Sequence, residues 1–271
     1  GALRWRPLVN TCHCATPLAH EDASSSLAEM RRGALAAVLM LVTQGGAVVF
    51  NRKILLLPGS SSSAGAFLNM PTGAAPLVGA AKATYHDGGR LAWLFEAIDP
   101  PTPSGEWFCP GGTAEGADES IAAVEAALEC GFVGLLGFDD GAALASLVAA
   151  RAALGDGGTT RLQFAVMCSG TMPEPYQPLL HRLRDAGPEA SLPTLRANLP
   201  TLHCLGRRDA TCAQGEALAA CFPSAEVMWH ESGHTMPPLA NLKAVVQFFE
   251  RSQAGSGYDR KFFEESTRRF R

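Results

Sequence analysis

From residue 53 onward, short uninterrupted apolar runs alternate with longer stretches in which apolar residues recur at helical spacing. Ile54-Leu55-Leu56-Leu57 ends at Pro58-Gly59, and Phe132-Val133-Gly134-Leu135-Leu136-Gly137 ends at a polar turn. Runs this short, apolar at every position, predict strands buried on both faces of a parallel sheet. Mainly apolar segments at 162–168, 201–205 and 225–229, with Gln163, His203 and Glu226 within them, are also read as strands. Between them, Ile121, Val124 and Leu128 fall at helical spacing within 118–130. Helices are also expected from the Ser60–Ser63 turn to about Met70, over Ala142–Leu154, and at 213–221 and 238–251. Strands alternating with helices predict an α/β protein whose mostly parallel sheet is covered on both faces. Residues 171–200 hold Pro173, Pro175, Pro178, Pro188, Pro193 and Pro200 and predict a loop or small lid.

The ends of the chain break the pattern. Residues 1–52 read as an irregular leader, 53–250 as one domain, and 251–271 as a polar tail. A chain opening on Gly1 is expected to be processed or part of a longer protein. In the leader, Met30-Arg31-Arg32 precedes an uncharged stretch from Gly33 to Phe50. That stretch reads either as a targeting or anchoring segment, or as a helix at about 28–42. It is short for a membrane span, and Thr43, Gln44, Gly45 and Gly46 interrupt it.

Composition then narrows the class. With 271 residues and 47% hydrophobic composition, the chain can bury a full core. A net charge of -4 leaves no basic footprint for nucleic acid, so that partner is not expected. None of the eight cysteines forms a C-x-x-C pair. Most lie in apolar runs, as reduced thiols do, which points to a reducing and cytoplasmic location, with organelle targeting through Met30–Phe50 as the other reading. Cys12, Cys14, His13 and His20 form one loose cluster, and no metal site is assigned to it.

The pattern with the most chemistry in it is Gly137-Phe138-Asp139-Asp140-Gly141, between an apolar strand and an alanine-rich helix. This is the setting of a nucleophile elbow, G-x-Nuc-x-G, where glycines make room for a sharp turn. Asp139 holds the nucleophile position. Asp209 follows the strand at 201–205, and His234 follows the strand at 225–229. Loops at the C-terminal ends of such strands line the ligand crevice. The order nucleophile position, acid, histidine is that of the α/β-hydrolase architecture. In that architecture the turn after the first strand and the residue after the nucleophile donate main-chain N–H groups to an oxyanion, here Ser60 and Asp140.

On these residues the chain resembles the FSH serine hydrolases, within the α/β-hydrolases. The similar stretches are Ile54–Gly59, Trp107-Phe108, Asp118-Glu119-Ser120, Phe132–Phe138, Gly141–Leu144, Phe164–Val166, Ser169-Gly170 and Gly233-His234 with Pro237. The resemblance implies an α/β-hydrolase fold without a large cap domain and without a cofactor. It also implies a carboxylic-ester or thioester substrate, Asp209 as catalytic acid and His234 as catalytic base. Trp107, Phe108 and Tyr176 are expected near the substrate pocket. Three positions depart from the family. Its elbow reads G-F-S-Q-G, whereas this chain has Asp139 and Asp140, and its first turn carries histidine where this chain has Pro58.

Three readings of Asp139 remain open. It is an aspartate nucleophile attacking alkyl carbon, as in epoxide hydrolases and dehalogenases. Or the family nucleophile has been lost, leaving a small-molecule-binding pseudoenzyme. Or hydrolysis proceeds with Asp139 as base for water, or with Ser60 or Ser169 as nucleophile. Elsewhere His86, closing a strand expected at 83–86, and His181, His203 and His230 read as structural, and Asp156 and Asp185 as solvated acids. Arg207 and Arg208 either contact substrate or pair with Asp209 or Glu231.

Overall fold

A computed structural model describes residues 52–60, 62–83, 93–102, 105–108, 116–156, 162–187 and 199–254. The leader up to residue 51, with its cysteine–histidine cluster and apolar stretch, lies outside the described residues, as do His86 and the tail from 255.

Six strands form one sheet: β1 (Arg52–Leu57), β2 (Trp93–Ala97), β3 (Phe132–Phe138), β4 (Phe164–Cys168), β5 (Thr201–Gly206) and β6 (Ala225–His230). Their order is β2-β1-β3-β4-β5-β6, and every pairing is parallel. The chain steps from β1 outward to β2, then crosses back to β3 on the other side of β1. That reversal opens the crevice at the C-terminal strand ends where ligands bind in such sheets.

Successive side chains of a strand point to opposite faces, so each apolar run feeds two cores. Leu55, Leu57, Leu135, Ala165 and Met167 pack into one. It is closed by α3 (Ala117–Leu128), α4 (Asp140–Leu154), α5 (Gln177–Ala186) and α6 (Cys212–Ala219). Ile54, Leu56, Leu136, Val166 and Cys168 pack into the other, against α1 (Ala64–Asn69), α2 (Ala75–Ala83) and α7 (Leu239–Ala254). The α4 helix is buried from Gly141 to Ala150 without interruption. Its many alanines let a helix that is apolar all round lie close to the sheet.

Three elements differ from the sequence reading. The stretch 171–200 contains α5, and Leu180 and Leu183 are fully buried in the core that α4 shares. It is a packed layer element with Pro178 in its first turn, where a missing N–H costs nothing, not a lid. Ala83 closes α2 rather than opening a strand. The edge strand β2 is an addition to the expected strands, since its burial alternates along a run that is apolar almost throughout. Among the described residues no helix is long and apolar enough to cross a membrane.

Candidate active site

The site lies at the C-terminal ends of β1, β3, β5 and β6. Asp139 sits between β3 and α4 with φ 56° and ψ −122°, in the positive-φ region that L-residues rarely occupy. The surrounding turn has no room for side chains. A Cβ at Gly137 would collide with the Gly141 carbonyl, and a Cβ at Gly141 with the carbonyls of Leu57 and Pro58. Gly141→Ala is therefore expected to destabilise the fold by about 3 kcal/mol. The urea midpoint measures it, and an unchanged midpoint would contradict the close approach.

The turn after β1 closes onto the elbow from the other side. A Cβ at Gly59 would stand 2.8 Å from Asp139 Cβ, so only glycine lets Ser60 come this near. The Ser60 main-chain N–H donates to Asp139 Oδ2 at 3.2 Å, and its hydroxyl meets the same oxygen at 3.0 Å. Ser60 Oγ also lies 2.5 Å from Asp140 Oδ2. Trp107 holds this turn from below, its Nε1 donating to the Pro58 carbonyl at 2.7 Å. Ser120 Oγ in turn donates to the Trp107 carbonyl at 2.8 Å. Trp107 is entirely buried. Phe108 is half-buried against the same core.

The other half of the site comes from neighbouring loops. Arg207 N–H donates to the His230 carbonyl and Arg208 N–H to that of Ser232, continuing the β5–β6 ladder beyond the strands. A Cβ at Gly206 would strike the carbonyls of Ser232 and Gly233, so glycine is what allows this contact. The two loops thereby bring Asp209 and His234 together. Asp209 Oδ2 lies 2.9 Å from His234 Nδ1, and Asp139 Oδ1 lies 3.1 Å from His234 Nε2. The imidazole also leans on the Phe138 ring at 5.4 Å.

Burial pushes the Asp209 carboxyl up, but the Thr211 N–H, the Thr211 hydroxyl and His234 together outweigh it and hold it below the usual carboxylate value. Asp209 is thus ionised at neutral pH, and His234 Nδ1 carries the N–H that faces it. Thr211 is not among the residues the sequence singles out. Its signal is the Asp209-Ala210-Thr211 spacing, in which an aspartate oxygen accepts from the backbone two residues on.

Tyr176 stands apart from this cluster. Its hydroxyl donates to Asp118 Oδ1 at 3.0 Å, and burial with that contact pushes its pKa up to about 12. Ser169 is buried with φ 51°, and its hydroxyl donates to the Thr235 carbonyl at 3.3 Å. It ties the histidine loop to β4. Arg207 pairs with Glu231 at 3.1 Å and stacks on Trp229, away from Asp209.

The chain is similar to several known proteins. The family described as Serine hydrolase (FSH1) matches residues 37–246. An esterase of Anopheles gambiae, AGAP003155, is 32% identical over 204 residues, covering 74% of this chain and 70% of that protein. The human esterase OVCA2 is 34% identical over 163 residues, which is 58% of this chain and 63% of OVCA2. This chain therefore spans less than two thirds of OVCA2. Among solved structures, Arabidopsis thaliana SOBER1 superposes with a TM-score of 0.52 at 18% identity, covering 75% of this chain and 99% of SOBER1. TT1662 from Thermus thermophilus gives 0.52 at 17% identity, covering 76% of this chain and 90% of its own. These two likenesses concern the fold.

Proposed function

The chain belongs to the FSH1 serine hydrolase family, and from that premise we propose that it recognises carboxylic-ester or thioester substrates at the site of Asp139, His234 and Asp209, while acyl transfer at the elbow residue itself is closed. One observation carries the reading. The Asp139 carboxylate spans the site, with one oxygen against His234 Nε2 at 3.1 Å and the other on the Ser60 N–H at 3.2 Å. The first is the contact a serine hydroxyl would make to its base, and the second is the donor an acyl oxyanion would need. One side chain occupies both. A carboxylate attacking an ester would also give an anhydride rather than a stable acyl-enzyme, so Asp139 is ill suited to the nucleophile's role.

The alkyl-nucleophile alternative has less support. It requires a donor for the leaving atom, and Tyr176 directs its hydroxyl to Asp118. Single turnover in ¹⁸O-water is expected to leave Asp139 unlabelled. Label in its carboxylate would favour that route instead.

The main test is replacement of both elbow acids by the family's serine and glutamine, with turnover of a neutral p-nitrophenyl ester as the readout. A folded double variant without turnover would defeat the reading.

A further inference from the structure

The elbow position is closed to acyl chemistry, yet an exposed hydroxyl stands beside it. Ser60 Oγ lies 3.0 Å from Asp139 Oδ2, Asp139 Oδ1 lies 3.1 Å from His234 Nε2, and His234 Nδ1 lies 2.9 Å from Asp209 Oδ2. The four side chains form one unbroken hydrogen-bonded chain with a solvent-accessible alcohol at its end. A nucleophile within hydrogen-bond reach of a base, with that base oriented by a third group, is the arrangement that activates serine.

We propose that Ser60 is the acyl nucleophile of this protein, with Asp139 as its general base and His234 and Asp209 as the residues that position Asp139. The proposal rests on the reading that the site takes acyl esters or thioesters. Ser60 Oγ attacks the carbonyl carbon and its proton passes to Asp139 Oδ2. The tetrahedral adduct collapses, the bond to the alkoxide or thiolate breaks, and that leaving group takes the proton from Asp139. Water then attacks acyl-Ser60, giving one proton to Asp139. The carboxylic acid departs as that proton returns to Ser60 Oγ, so the sum is ester plus water to acid plus alcohol or thiol.

The surroundings are built for this contact. Gly59 is what allows Ser60 to reach Asp139, since a Cβ there would meet Asp139 Cβ at 2.8 Å and Oδ2 at 3.0 Å. The Ser60 N–H holds the same oxygen at 3.2 Å, aiming the base at its own residue's hydroxyl. As Asp139 takes the proton it becomes neutral, and that N–H is released toward the forming oxyanion. Asp140 competes, because Ser60 carries one hydroxyl proton and Asp140 Oδ2 lies 2.5 Å from Oγ. Asp140 does not contact His234 among the described residues, so it is the competitor and Asp139 the base. Removing its charge should speed the reaction.

The test is reaction of the full chain with a neutral alkyl fluorophosphonate ester, located by peptide mass spectrometry. Attack forms the Oγ–P bond, breaks P–F and sends the Oγ proton to Asp139. The expected result is one phosphonyl adduct on Ser60, absent from Ser60→Ala, formed about 100-fold more slowly in Asp139→Asn, and faster in Asp140→Asn. Circular dichroism melting of each variant separates lost reactivity from lost fold. No adduct on the folded wild-type chain, or an adduct on another residue, overturns the proposal. Slowing by Asp140→Asn rather than Asp139→Asn overturns the assignment of the base. If Asp139→Ser with Asp140→Gln labels at position 139 while the wild type stays unlabelled, the Ser60 proposal fails and the family-site reading stands. If neither chain is labelled, both fail.

Discussion

Asp139→Ser combined with Asp140→Gln is expected to raise the turnover of p-nitrophenyl acetate by about 1000-fold over the unaltered chain, because it places a serine directly against the His234 imidazole. The scaffold that such a serine needs is already assembled. His234 Nδ1 is held by Asp209 at 2.9 Å, and Asp209 is anchored by the Thr211 N–H at 2.9 Å and its hydroxyl at 2.7 Å. The backbone at position 139 already has the positive φ of a sharp elbow, so the substitution asks for no new turn. Removing the carboxylate also frees the Ser60 N–H that now donates to Asp139 Oδ2. Turnover against ester concentration, with Asp209→Asn in the same background as a control, measures the effect. Equal low activity in a folded double variant would mean that the site is not an acyl site.

The second large effect is on stability against acid. His203 on β5 is buried, packs on Phe222 at 5.3 Å, and has no hydrogen-bond partner for Nε2 among the described residues. Burial pushes its pKa down to about 3 from an ordinary value of 6.5. Between those two values the unfolded chain binds a proton that the folded chain refuses. Stability is therefore full above about pH 6.5 and falls as the pH drops toward 3. The whole window is worth about 5 kcal/mol, and about 3 kcal/mol should be gone by pH 4.5. Urea unfolding at pH 7 and pH 4.5 reads it directly. His230 is shifted in the same direction by burial, so the comparison that isolates His203 is wild type against His203→Leu. The leucine variant should lose less stability over that interval. An equal loss in both would show that His203 accepts its proton without cost.

The expected acyl activity depends on residues that the amino-acid sequence itself marks. Asp139 stands out because glycines flank it at −2 and +2 between an apolar run and an alanine-rich helix. Asp209 and His234 stand out because each follows an apolar strand. Sheet order, by contrast, cannot be read from apolar runs, which report burial but not neighbours. The β2 strand and the α2 helix are hard to read because an apolar edge strand and a glycine-containing helix carry weak periodicity. The α5 helix is hidden by prolines that tolerate a helix start.

Local pattern alone determined that this chain folds as a parallel α/β sheet, with a sharp glycine-flanked turn that presents Asp139. Backbone sterics and the hydrophobic periodicity of single segments are short-range, so they are legible one segment at a time. Only the tertiary structure decided what the Asp139 carboxylate does. Its two oxygens reach Ser60, 79 residues upstream, and His234, 95 residues downstream. Contacts across such separations follow from strand order and from how close glycines let loops approach. They turn an aspartate in a serine's place into a group that binds the main-chain N–H and the hydroxyl of Ser60 on one side and His234 on the other.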